Sequence, residues 1–232
     1  MPPKTMLVIG AHLDDTEYGA GGLIVQAVRR GWRVVSIVLC GDHGSWQPTL
    51  GREDMVRDRL LEVSAIMGVE KTFFGTRYHR LWYNEEEVQR LAQIVAEMQP
   101  DLGLVPWPHD HWPDHVAAGK IGLHAMRFPH SLRATLQPVS RILMYEAGPR
   151  QADVAVPFRP NLYVDITNEI DRACESLHEI DEIVADQAIA GLSSHEQDKR
   201  AKSLLRGTEC GVAYAEAFVA LQVWPQDILG SA

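Results

Sequence analysis

A chain of 232 residues, 46% hydrophobic and 23% charged, is long enough to bury the core of one α/β domain and too apolar for long disorder. Its formal net charge of −9 argues against a nucleic-acid or membrane-surface partner, which would call for a basic face. Three scattered cysteines without a CxxC argue against a disulfide framework or zinc ribbon. No apolar run approaches the roughly twenty residues that span a bilayer, and the first such run is too short for a secretory leader, so the cytoplasm is the expected compartment.

The predicted elements alternate between strand and helix from the start. Residues 6–10 (MLVIG) form a short β-branched run ending in Gly, the mark of a buried parallel strand. Helical spacing follows over 21–30 and Gly31 stops it, and 32–39 (WRVVSIVL) reads as a second buried strand. Strand, helix and strand at this spacing make a βαβ unit and a parallel sheet. After a polar loop over 40–52, helix is expected over 53–67 and a short strand over 71–74. Asn84 caps a helix over 85–98 that ends before Pro100. Residues 102–105 give a third strand that feeds PWPHDHWPDH, and 116–126 are helical. Strands are expected over 141–145 and 161–166, helices over 169–190 and 196–205, and a surface loop over 149–160. The expectation is a single-domain α/β fold, Rossmann-like, with a mainly parallel sheet flanked by helices.

Two segments rich in ligand-type side chains follow predicted strands, where open parallel sheets bind ligands. AHLDDTE follows the first and PHDHWPDH the third. His12 and Asp15 lie three residues apart and are able to face one point; a neutral imidazole and a carboxylate suit a divalent metal. A catalytic zinc takes three protein ligands and leaves one position open, and His115 is the natural third. Asp14, adjacent to a ligand, suits a general base acting on water. Plainer readings stand beside these: Asp after a strand is a common helix N-cap, and a His-rich loop is often merely solvated.

On these residues the chain resembles the PIG-L/LmbE-like deacetylases. GAHLDDTEYGAGGLI is similar to the AHPDD opening of that family, RDRLLEVSAIMGV to its RxxE helix, WPDH to its HPDH motif and YAEAF to its C-terminal segment. The resemblance implies a Rossmann-like fold and a zinc ion, with another divalent metal as the alternative. It implies hydrolysis of a small N-acylated, amino-sugar-containing substrate, and self-association. It implies His12, Asp15 and His115 as metal ligands, Asp14 as base, Asp114 as the partner that orients a ligand, and Arg59 reaching toward substrate; the plain reading of Arg59 is a helix pair with Glu62. Leu13 replaces the usual Pro, and Trp112 replaces the first His of HPDH. His111 or His109 would take over as acid or oxyanion donor. His43 is expected to line the pocket. The segment TRYHRLW lacks the family's substrate-contacting Asp, and His79 and Arg80 there would suit a different or more anionic substrate. Tyr214 and Glu216 read first as packing residues, and His124, His130, His178 and His195 have no partner that the sequence reveals. Rival readings are hydrolysis of a non-sugar amide or ester, and a non-catalytic metal- or sugar-binding protein.

Overall fold

The computed structural model describes residues 3–131, 137–148 and 156–221. Five strands run parallel in the spatial order β3-β2-β1-β4-β5: β1 (Thr5–Gly10), β2 (Arg33–Val38), β3 (Val69–Phe73), β4 (Leu102–Pro106) and β5 (Ile142–Tyr145). β7 (Ala215–Ala220) pairs antiparallel with β5, and β6 (Leu162–Asp165) pairs antiparallel with β7 at the edge. The expected mainly parallel sheet is present, closed at one side by an antiparallel pair.

The continuous apolar runs arise because the central strands are covered on both faces. Leu7 and Ile9 of β1 pack with Val88 and Leu91 of α3 (Glu85–Met98) and Ile121 of α4 (Pro113–Arg127). Met6 and Val8 point the other way, against Leu23, Ile24 and Ala27 of α1 (Asp15–Arg29). This two-residue alternation splits one strand between two cores. On α2 (Glu53–Ile66), Val56 and Leu60 share a face and meet Leu13 and, on α5 (Ile170–Ala185), Ile180 and Ile183. α6 (Ser194–Cys210) packs on α5 and on β7.

Two helices begin earlier than their apolar spacing suggests. α4 starts at Pro113, which suits a first helical position because it has no N–H to satisfy. α1 starts at Asp15, so the glycine-rich stretch lies inside it. It is bent at Ala20 (φ −140°, ψ 16°). Beyond the bend, the N–H groups of Gly22 and Leu23 donate to the Glu216 carboxylate at 2.7 and 2.8 Å. Lys199 Nζ lies 2.5 Å from Glu216 and donates to Tyr18 O at 2.6 Å. Glu216 thus caps the second half of α1 from within the core, as an N-cap carboxylate does at a helix start. α5 stops at Ala185 because Asp186 turns left-handed (φ 56°). β7 is a strand that the apolar pattern does not announce. The loop expected over 149–160 falls in part outside the described residues.

Gly19 sets how closely α1 approaches the sheet. A Cβ there would lie 2.0 Å from the Tyr145 ring, whose hydroxyl is anchored on Ile9 O. Gly19→Ala is therefore expected to destabilise the protein by about 1–3 kcal/mol through overpacking, lowering the thermal midpoint by several degrees. Gly75→Ala, where a Cβ meets nothing within 4 Å, is the control and should shift the midpoint far less.

Candidate metal centre and pocket

Strand order reverses between β1 and β4, and the crevice outside their carboxyl ends is where such sheets bind ligands. The segment 11–15 leaves β1 at this point and 107–115 leaves β4. The turn after β1 is built by Asp15. Its Oδ2 accepts the N–H groups of Ala11 at 2.7 Å and His12 at 2.9 Å. Asp14 is the N-cap of α1 by position, yet its side chain makes no capping bond. The plain capping reading of HLDD therefore fails.

With one oxygen on the backbone, Asp15 presents the other to two imidazoles. Asp15 Oδ1 lies 3.8 Å from His12 Nδ1 and 3.3 Å from His115 Nε2, and the two ring nitrogens are 3.1 Å apart. Nitrogen and oxygen ligands at about 2.0–2.2 Å from a tetrahedral zinc stand roughly 3.3–3.6 Å from one another. The three buried donors match that spacing, so the donor set fits a divalent metal. His12, Cys40 and Asp114 form a second cluster, but His12 Nε2 is already 2.9 Å from Asp114 Oδ2. Burial also pushes the Cys40 thiol far up, away from a thiolate, so the first cluster is the better metal site.

Both imidazoles are backed by a carboxylate. Asp114 holds His12 Nε2 and also accepts the backbone N–H groups of His79 and Leu81, which ties the 79–81 loop, including left-handed His79 (φ 61°), to the centre. Asp110 Oδ1 lies 3.3 Å from His115 Nδ1, close enough for charge pairing though off the hydrogen-bonding line. Such pairing fixes ring orientation and raises ligand basicity. Without a metal, burial lowers the His12 and His115 pKa values. Together the carboxylates outweigh it, Asp15 with Asp114 at His12 and Asp15 with Asp110 at His115, and lift them to about 9 and about 10. Burial alone would raise Asp15, yet the two imidazolium rings hold it well below the usual carboxylate range.

These groups form the floor of a cavity of about 310 Å³. Asp14 lines it with 23% of its side chain open, and burial pushes its pKa up against the opposing pull of His195. The walls are aromatic: Trp46 stacks on Tyr78 at 5.0 Å, and His79 on Trp112 at 5.7 Å. No Lys or Arg lines it among the described residues.

His12, Asp14, Asp15 and His115 are brought together and Asp114 stands directly behind them. Three other expected site residues are not in the pocket wall. Arg59 is exposed on α2, because burial of Val56 and Leu60 turns its neighbour to solvent. His43 is buried with Nδ1 3.2 Å from Thr49 Oγ1, inside its own loop. His111 turns aside, its Nδ1 3.1 Å from Asp110 Oδ1. Sequence reasoning missed Asp110, Asp181 and His195. The aspartate in the HDHWPDH run was a signal for the first; the other two come from helices far along the chain.

Residues 7–126 match the family model described as PIG-L, GlcNAc-PI de-N-acetylase. The chain is 29% identical over 179 residues to the diacetylchitobiose deacetylase of Thermococcus kodakarensis, covering 71% of this chain and 64% of that one. It is 24% identical over 191 residues to the 4-oxalmesaconate hydratase of Pseudomonas putida, covering 74% and 70%. A conserved protein from Thermus thermophilus, 24% identical, shares the fold with a TM-score of 0.78 over 98% of this chain and 99% of that one. Both segments that build the centre lie inside the matched span, and the chain belongs to the PIG-L family of GlcNAc-PI de-N-acetylases.

Proposed function

We propose that the chain is a zinc-dependent N-deacetylase that removes an acyl group, acetyl foremost, from a small amino-sugar-containing substrate. One observation carries this reading: three buried donors at metal-ligand spacing share a pocket floor with Asp14, a carboxylate left free of them. Two imidazoles and one carboxylate suit zinc better than the all-oxygen sets that magnesium and calcium prefer. A zinc ion bound there supplies Lewis acidity, bringing the pKa of water to about 7 and polarising a carbonyl.

The chain's own groups divide the remaining work. Asp114 takes the His12 Nε2–H and so leaves Nδ1 with its lone pair toward the centre; Asp110 faces His115 Nδ1 in the same sense. Asp14 takes the proton of the attacking water, and its raised pKa makes it a stronger base than an ordinary aspartate. Trp46, Tyr78 and Trp112 give flat apolar walls for a ring-shaped substrate and exclude water. The Thermococcus relative, a deacetylase of diacetylchitobiose by name, supports the substrate class. Three free cysteines and the absence of any described helix long and apolar enough to cross a membrane support our placing the protein in the cytoplasm.

The likeness to a hydratase favours a second reading, addition of water to a carbon–carbon double bond. A substrate bearing carboxylates calls for Arg or Lys, and the described pocket wall holds neither. Acetate release from N-acetylglucosamine and diacetylchitobiose, run beside hydration of 4-oxalmesaconate, separates the two readings. Asp14→Asn is expected to cut kcat for acetate release about 10²- to 10⁴-fold with zinc content unchanged. Equal activity in that variant would remove Asp14 from the role of base.

Zinc must displace protons that His12 and His115 hold to about 9 and about 10. Affinity should therefore rise with pH and be lost as pH falls, by up to about tenfold per pH unit for each proton displaced. Chelator competition from about pH 6 to about pH 9, with proton release followed in weak buffer, checks the sign. A pH-independent affinity would place the zinc elsewhere.

A further inference from the structure

The roles given to a zinc ion and Asp14 leave one step without an assigned group. Amide cleavage expels an amine, and its nitrogen must receive a proton as the C–N bond breaks. Asp14 is assigned to the attacking water, and His111 is turned out of the pocket.

His195 meets the requirement. It stands in the first turn of α6, whose start is fixed by Ser193 Oγ accepting the Glu196 N–H at 3.3 Å. Its Nδ1 lies 2.5 Å from Asp181 Oδ1 of α5, and its backbone N–H donates to the other oxygen of that carboxylate at 3.3 Å. One nearly buried carboxylate thus holds the residue by both its ring Nδ1 and its backbone, and Nε2 turns toward the pocket. That nitrogen lies 3.6 Å from Asp14 Oδ2, and His195, Asp181 and Asp14 all line the cavity. A carboxylate on one imidazole nitrogen and a proton-handling group on the other is the arrangement of a general acid–base histidine; such contacts tighten when substrate binds.

The charges around the ring favour this role. A helix N-terminus disfavours an imidazolium, by about 0.3–1 kcal/mol at an exposed site. Three carboxylates oppose it: Asp181 from α5, Asp14 before α1 and Asp198 on α6. Asp181 is the largest influence, and the His195 pKa is lifted to about 9, so the ring carries its proton at neutral pH. His79, the pocket histidine besides His195 that stands outside the candidate metal set, has no such backing. It lies 3.7 Å from an Asp114 already engaged by His12, and its ring stacks on Trp112.

We propose that His195, positioned by Asp181, is the proton donor to the departing amine and is recharged from Asp14; this rests on the deacetylase reading. Asp14 takes one proton from water as the water oxygen bonds to the acyl carbon. The C–N bond then breaks, its electron pair going to nitrogen, and His195 Nε2 gives that nitrogen its proton. The proton on Asp14 passes to His195 Nε2, which restores both groups. One amide and one water become one carboxylic acid and one amine.

The test uses the zinc-loaded full chain, an N-acetylated amino sugar and an aryl acetate, whose phenolate leaves without a proton. His195→Gln should lower kcat on the amide by about a hundredfold or more, with KM and zinc content little changed. On the aryl acetate the loss should shrink below about tenfold, and added imidazole should restore part of the amide activity to His195→Gly. By NMR, the His195 ring should titrate near 9 in the wild type and clearly lower in Asp181→Asn. Equal losses on both substrates would mean a merely structural role and overturn the proposal, as would an unaltered His195→Gln or a midpoint that Asp181→Asn does not move. A large amide-specific loss in His79→Gln, with His195→Gln unaffected, would move the acid to His79. A wild type inert on both substrates overturns the deacetylase reading, and this proposal with it.

Discussion

The two oxygens of Asp15 do different jobs, and the site depends on that division. Oδ2 closes the turn that takes the chain from β1 into α1, accepting two backbone N–H groups within four residues. Oδ1 faces both imidazoles of the candidate centre. A single carboxylate is therefore a structural clamp and, in the proposed site, a metal donor at once. Each role reinforces the other, because the clamp holds the carboxylate in one orientation before any ion arrives, and preorganised ligands bind with less loss of freedom. His12 and Asp14 inherit their positions from the same turn.

Around this turn histidines and carboxylates alternate. His12 has Asp15 and Asp114, His115 has Asp15 and Asp110, and His195 has Asp181 and Asp14. Each of these three imidazoles has an anion on either side, and at His12 and His115 burial strengthens the pairing. The acidic excess of the chain is thus partly concentrated where it stabilises cations, in keeping with a centre meant for a metal and for proton transfer. Aromatic and aliphatic residues, instead of lysine or arginine, supply most of the remaining described wall.

Much of this was legible in the sequence, for physical reasons that differ from residue to residue. β1, β2 and β4 are buried on both faces, so they spell apolar runs, broken in β2 only by buried Ser36 and, at its start, by exposed Arg33. His12, Asp15 and His115 follow such runs directly or close behind, and strand ends are where chemistry belongs. β7 was hidden because AEAFVA is made of small residues around a buried glutamate whose partners lie on other elements. The start of α1 was hidden because its glycines look like a loop until Tyr145 is seen filling the space beside Gly19. Arg59, which the resemblance implies as reaching toward substrate, sits one step off the buried face of α2 and is exposed. Asp181 and His195 lie on two helices whose pairing leaves no spacing signal. The capping pair Ser193 and Glu196 marked only where one of them begins.

Glu216 links the two ends of the chain in time as well as in space. The N–H groups of Gly22 and Leu23 find their acceptor 194 and 193 residues downstream. At about 5–20 residues per second, roughly 10 to 40 s of synthesis separate donor from acceptor. During that interval β1 and its motif are already made, while the helix that carries Asp15 and Tyr18 lacks the carboxylate that caps its second half. The motif after β1, made long before Glu216, therefore reaches its final geometry late. A ribosome-bound chain would carry the ligands of the centre well before it could hold them in place.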